Sequence, residues 1–160
     1  MLFRSGSACK FGFEKLGNKV LGHDILLDTK IDDLLGCEII YVCVPTPSNE
    51  DGSCNVSIVE KIVYELKQLN YNGVIAIKST VKPTTTQRLI NETGLKICFV
   101  PEFLRERCAI TDFTENHDLL AIGTESDSIF NLVKKCHGNY PKSIVQLRPT
   151  EAELLKYYSN

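Results

Sequence analysis

Glu38-Ile39-Ile40-Tyr41-Val42-Cys43-Val44, closed by Pro45-Thr46-Pro47, decides the fold class. After one charge the run is apolar or aromatic at every position, with no alternation. A strand that is apolar on both faces is covered on both faces, which is the situation of a central strand in a parallel sheet. The prolines remove the donors that would extend it, and Ser48 to Asn55 is a loop of turn residues.

Downstream, Ser57-Ile58-Val59-Glu60 opens a helix, with serine and glutamate spaced as a capping box. Ile58, Ile62, Leu66 and Leu69 form its apolar face, widened by Val59 and Val63, and Asn70 to Gly73 ends it. Val74-Ile75-Ala76-Ile77 is the next buried strand, and the chain leaves it through Lys78-Ser79-Thr80. Thr84 to Thr93 reads as a helix, Lys96 to Val100 and Leu119 to Gly123 as strands, Ser126 to Cys136 as an amphipathic helix on Ile129, Phe130 and Val133, and Ser143 to Leu147 as a last strand. Thr150 and Glu153 form a second capping box at the head of a final helix. Upstream, Gly6 to Leu16 is a ragged helix weakened by Gly12 and stopped at Gly17-Asn18. Lys19 to Asp24 is a short strand ending in a carboxylate, and Asp32 to Leu35 has room for one helical turn. Strands and helices alternating at this spacing predict an α/β chain, a doubly wound parallel sheet.

The 160 residues suffice for one domain with a core. A net charge of -2 supplies no basic field for nucleic acid or anionic lipid. The longest apolar run, Ile39 to Val44, is far short of the roughly 20 residues that span a bilayer, and Met1 to Phe13 holds no apolar core of a secretory signal. The seven cysteines include no Cys-x-x-Cys pair. They read as free thiols of a reducing cytoplasm, and their spacing makes no metal cluster.

Two stretches gather chemistry. Pro101-Glu102-Phe103-Leu104-Arg105-Glu106 leaves the end of a buried strand, where open α/β sheets place ligands. Its two carboxylates stand four residues apart, with Arg105 beside the second. In the final helix Lys156 and Asn160 are also four apart and share a face. These stretches, with Lys78-Ser79-Thr80, are expected to line one side of an active site.

Four blocks in this order, Val44-Pro45-Thr46-Pro47, Lys78-Ser79-Thr80-Val81, Pro101 to Glu106 with Asp112-Phe113, and Ala152-Glu153-Leu154-Leu155-Lys156-Tyr157 closing on Asn160, resemble the N-terminal domain of the UDP-glucose/GDP-mannose dehydrogenases. The resemblance implies a Rossmann-like sheet that holds NAD. It also implies a two-step oxidation of a nucleotide sugar at C6, alcohol to carboxylate, of the UDP-glucose 6-dehydrogenase kind used in polysaccharide biosynthesis. The family enzyme carries a nucleophilic cysteine and most of its nucleotide site on a second domain, and a homo-oligomer is expected of it. Residues 1–149 then form the NAD-binding domain, and residues 150–160 begin the helix leading to the central region.

Residue by residue, Thr80 and Glu106 match the pair that holds a water near the reacting carbon. A carboxylate in a dry pocket suits a general base; without the family, Glu106 is a solvated charge beside Arg105. Lys156 and Asn160 match the pair that stabilises a developing oxyanion, against the plainer reading of a lysine near a helix C-terminus. Glu102, Phe103 and Leu104 belong to the substrate loop. Asp24 is expected on the adenosine ribose with Lys30 near it, the alternative for Asp24 being a turn aspartate. Thr46 borders a ribose, and Gly6 matches the third glycine of a Gly-x-Gly-x-x-Gly turn.

The chain departs from the pattern in three ways. The first strand and the first two glycines are missing or reduced, the third strand is reduced, and Thr84 stands where the family has glycine. The alternatives are a non-catalytic nucleotide-binding module or inactive fragment of the family, and a hydroxy-acid dehydrogenase. The latter needs a catalytic histidine from among His23, His117 and His137. None of the seven cysteines matches the nucleophile; Cys108, the nearest to the active loop, reads as structural. The purified chain mixed with NAD and UDP-glucose is therefore expected to give no NADH absorbance, and its appearance would refute the assignment of the nucleophile to a second domain.

Overall fold

The computed structural model describes residues 4–103 and 108–159. The chain runs α1 (Arg4–Lys15), a 3-10 turn (Ile31–Leu34), β1 (Ile39–Val42), α2 (Ser57–Gln68), β2 (Val74–Ile77), α3 (Thr85–Thr93), β3 (Lys96–Phe99), α4 (Ala109–Thr114), β4 (Leu119–Gly123), α5 (Asp127–His137), β5 (Ser143–Leu147) and α6 (Pro149–Tyr158). The strands lie in one sheet in chain order. β1, β2 and β3 are parallel and in step, so Val42, Ile77 and Phe99 end side by side at one rim. β4 meets β3 through a single antiparallel pair, Phe99 with Gly123, and β5 runs parallel to β4. The sheet is thus mostly parallel rather than wholly so.

Helices cover both faces. β2 is buried at all four positions, and strand alternation sends its side chains to opposite layers. Ile75 and Ile77 join Val59, Val63 and Leu66 of α2, Leu89 of α3 and Ala152 of α6. Val74 and Ala76 face the other way, with Ile129 and Val133 of α5. α1 and α4 extend that second layer through Cys9, Phe13 and Phe113, packed on Tyr41 and Cys43. Each fully buried Val or Leu contributes about 1.5–3 kcal/mol relative to exposure.

Several expectations are corrected. β1 is an edge strand, half-buried at Ile39 and Tyr41, because nothing pairs with its outer side among the described residues. For the same reason Lys19 to Asp24 forms no strand: a strand needs a neighbour to bond. Asp24 instead closes a turn, accepting the Leu26 N–H at 2.9 Å. Ser57 is the first residue of α2 rather than its cap, and the Asn55 side chain accepts its N–H at 3.0 Å. The buried stripe of α2 is Val59, Val63 and Leu66, while Ile58 is exposed. Glu151, not Glu153, closes the start of α6, accepting the Arg148 N–H at 2.9 Å. The short α4 escaped the sequence reading, its six residues being too few to show a helical period.

Gly12 lowers helix propensity, yet its bare face is what lets α4 approach. A Cβ there would lie 2.3 Å from the Phe113 ring. Gly12→Ala is expected to destabilise the chain by about 1–3 kcal/mol through this overlap, against the gain that glycine-to-alanine gives in an open helix. A denaturant titration of the two proteins reads the sign.

Candidate functional site

The rim formed by Val42, Ile77 and Phe99 releases three loops on one side of the sheet. Ser79 ties the first two together. Its hydroxyl accepts the Val44 N–H and donates to the Val44 carbonyl, each at 2.8 Å. One side chain thus satisfies both backbone groups of the residue before Pro45-Thr46-Pro47. The Cys54 thiol adds a second tie, donating to the Thr80 carbonyl at 3.1 Å and lying 3.6 Å from the Thr46 carbonyl. Cys54 is held there by a tight turn: the Asn49 N–H reaches the Ser53 carbonyl at 2.7 Å, and Gly52 takes the positive φ of 78° that the turn needs.

The result is a cleft of about 370 Å³ lined by Thr46, Ser48, Gly52, Cys54, Thr80 and Tyr157. It has the size of a small-molecule site, and its hydroxyls both donate and accept. Tyr157 comes from α6, and the residue before it reaches the third loop. The Lys156 ammonium donates to the Glu102 carbonyl at 2.6 Å and stands 5.7 Å from the centre of the Phe103 ring. Burial pushes the Lys156 ammonium below its usual pKa; Glu102 opposes that shift and Lys78 adds to it.

α6 is held in place by a residue whose role the sequence reading misplaced. Glu153 is fully buried, and its carboxylate accepts the Thr84 N–H at 2.6 Å and the Thr86 N–H at 2.7 Å, at the start of α3. Thr84 adopts a left-handed φ of 79° there, the conformation that glycine takes most easily. The clamp fixes α6 one turn before Lys156.

A second cavity, of about 110 Å³, lies behind the Pro101-Glu102-Phe103 turn, lined also by Lys78, Phe113, Asn116, His117, Asp118 and Leu119. Burial, then the charge of Lys78, pushes His117 down to about 4 and His137 down to about 3. Both imidazoles are neutral near pH 7 and poorly matched to proton transfer there. His23 lies apart, its ring bonded to the Thr29 hydroxyl at 2.9 Å.

Of the expected site residues, Thr46, Thr80, Lys156, Glu102 and Phe103 come together at the rim. Gly6 lies at the start of α1, and a Cβ on it would lie 3.7 Å from Cys43, at the end of β1. Asp24 and Lys30 line neither cavity; the Lys30 N–H is bonded to Asp33 at 3.0 Å. Leu104, Glu106 and Asn160 lie outside the described residues. The sequence places Lys78, Ser79 and Tyr157 within its site blocks without giving any of them a part of its own, and it does not reveal Cys54 or the clamp by Glu153. For Ser79 the signal was present, a hydroxyl one residue beyond a strand end.

A mostly parallel sheet between two helical layers, with hydroxyls gathered at the carboxyl rim, defines a nucleotide-binding domain of the dehydrogenase type. The chain belongs to the UDP-glucose/GDP-mannose dehydrogenase family: the profile of that family's NAD binding domain matches residues 9–140. It is 29% identical to UDP-glucose 6-dehydrogenase AglM of Haloferax volcanii, over 93% of this chain and 39% of the relative. It is 30% identical to a UDP-glucose 6-dehydrogenase of Rickettsia bellii, over 92% of this chain and 36% of the relative. The chain therefore spans little more than a third of these relatives. Among solved structures, a UDP-glucose dehydrogenase from Pyrobaculum islandicum superposes with a TM-score of 0.70 at 27% identity, covering 80% of this chain and 32% of the other. An imine reductase of Streptomyces aurantiacus, TM-score 0.75 at 8% identity over 98% of this chain and 57% of the other, shares the fold alone. NAD is the cofactor of the matched domain.

Burial holds the Glu153 carboxyl above its usual pKa of 4.5, against the pull of its two N–H donors. The folded chain then keeps this proton more tightly than the unfolded chain. That contribution to stability is fully present below the ordinary glutamate value and is lost as pH rises through the raised one. Glu153→Ala is expected to remove this slope from a stability–pH curve. At neutral pH it should cost about 2–4 kcal/mol, by stranding the Thr84 and Thr86 donors.

Proposed function

We propose that this chain supplies the cofactor half of an enzyme that oxidises a nucleotide sugar at C6 from alcohol to carboxylate, as UDP-glucose 6-dehydrogenases do. The observation that carries the reading is the reach of α6. Consecutive residues, Tyr157 and Lys156, join the Thr46–Thr80 cleft to the Glu102 carbonyl across 54 residues of sequence. A helix that bridged these loops for stability alone would have no need to bring a partly buried ammonium to the rim.

In this reading Thr46 and Thr80 hold the ribose side of NAD, with Gly6 at the pyrophosphate end and Asp24 and Lys30 toward the adenosine. NAD, when bound, accepts hydride from the sugar carbon. Lys156, with Asn160, faces the oxygen on which negative charge develops, where a preorganised donor in a dry site lowers the barrier. The lowered proton affinity of Lys156 makes its N–H a stronger hydrogen-bond donor to that oxygen. Thr80 and Glu106 hold the water that the second oxidation consumes, Glu106 as base, while Glu102, Phe103 and Leu104 line the sugar. Residues 150–160 lead toward the region that carries the nucleophile, most of the nucleotide site and a homo-oligomeric contact. The seven free cysteines support a reducing cytoplasm as its setting.

Calorimetric titration tests the cofactor assignment. NAD is expected to bind the isolated chain. Thr46→Val and Thr80→Val should each weaken it about three- to tenfold, the worth of one hydrogen bond. Unchanged affinity in both variants would place the cofactor elsewhere.

A further inference from the structure

The cavity behind the Pro101-Glu102-Phe103 turn gathers polar groups that nothing described so far uses. Lys78 follows Ala76 on the α5 side of β2, so alternation carries it beneath the α1–α4–α5 layer. It is 5% exposed, it lines the cavity, and no hydrogen bond or ion pair reaches its ammonium among the described residues. Glu102 lines the same cavity with a buried carboxylate oxygen, Oε2, that has no partner, and His117 contributes a buried Nδ1 in the same state. A buried ammonium without an anion costs several kcal/mol or gives up its proton. Three polar groups that lack a partner among the described residues, around one space with room for several waters, make a hydrated chamber.

We propose that Lys78 and Glu102 form an ion pair across this chamber, bridged by water, and that the pair positions the 101–103 turn so that the Glu102 carbonyl sits under Lys156. The functional part rests on the reading of Lys156 given above; the pair itself does not. Lys78 is thereby a positioning residue. It acts through the Glu102 side chain, whose own backbone oxygen receives Lys156 at 2.6 Å. The turn is gripped from two sides, by its side chain from below and by its carbonyl from α6.

The other groups around Lys78 sharpen the assignment. It faces Cys9 of α1, Cys43 after β1, Cys98 of β3, Glu102, His117, His137 at the end of α5, and Lys156. Burial opposes its charge most strongly, and Cys9, Glu102, Cys43 and Cys98 act to keep it. Burial drives the Cys98 thiol up to about 12 and the Cys43 thiol well above its usual range. Those two stay protonated and supply no anion near neutral pH, whereas the Cys9 thiol is lowered, first by its hydrogen bond with Cys43, and shares the field at Lys78 with Glu102. Among the described residues two carboxylates line the chamber, and Asp118 is already engaged by Lys142 at 2.6 Å, which leaves Glu102.

The test follows the Lys78 amine by ¹⁵Nζ resonance through an alkaline titration of the chain as it stands. In the unaltered chain Lys78 is expected to remain an ammonium past the usual lysine value. In Glu102→Gln the offset to burial is weakened although Cys9, Cys43 and Cys98 remain, and the midpoint should fall measurably. An unchanged midpoint overturns the pair. Hydrogen exchange of the peptide holding Glu102 and Phe103 reads the positioning. Lys78→Met, a swap of similar volume that a core tolerates, and Glu102→Gln should each speed exchange there about tenfold, and the double variant no further. Additive effects would make Lys78 a packing residue only. Absence of NAD binding would sink the functional reading and leave both of these results standing.

Discussion

The burial of β2 on both faces is the constraint from which the rest follows. A strand covered on one side alone needs only alternate apolar residues. Val74 to Ile77 has a helical layer against each side and parallel neighbours at each edge. Its side chains therefore bind two cores that share no residue. The layer of α2, α3 and α6 brings Lys156 to the rim. The layer of α1, α4 and α5 closes the chamber around Lys78. What leaves β2 must turn toward one layer or the other, and the site is built from how it turns.

That turn is made by Ser79. Simple alternation would send Lys78 and Thr80 to the same side. The hydroxyl of Ser79, bonded to both backbone groups of Val44, ends the regular strand at that point. Lys78 keeps the strand's direction and goes into the interior, while Thr80 is redirected to the open cleft beside Thr46 and Tyr157. One short side chain thus divides a buried cation from an accessible hydroxyl two residues later. Neither outcome can be read from the letters Lys-Ser-Thr without the neighbouring strand.

This marks what was legible. The five strands were visible because each is a short apolar run between turn residues, and a buried strand leaves that trace whatever its partners. Thr80 and Lys156 could be placed at a strand end and on a helix face by counting, while Thr46 was singled out by the family resemblance alone. Pairing was not legible: Ile39 to Val42 has the composition of a central strand and sits at an edge, and Lys19 to Asp24 has a strand's pattern with no ladder to join. Caps failed for a related reason. Glu153 has the spacing of a local cap from Thr150, yet α6 is capped at Arg148 with Glu151 in the closing position, so Glu153 falls beyond the first turn and its carboxylate goes to the start of α3.

Two carboxylates, the buried Glu153 and the half-buried Glu102, divide the work of placing Lys156. Glu153 fixes where the helix lies by ending on backbone donors, which are rigid and cannot move without unwinding α3. Glu102 belongs to a turn, which has no ladder of its own, so its position must be set by side chains. A turn held only by Lys156 would follow that lysine wherever it moved, and the hydrogen bond would define nothing. With the Glu102 side chain anchored toward Lys78 on the far side of the turn, the carbonyl becomes a fixed point, and the ammonium that meets it is fixed in turn. A buried lysine is costly enough that packing alone would have favoured methionine at position 78. Its presence beneath the turn is best accounted for by the position it imposes on what lies above.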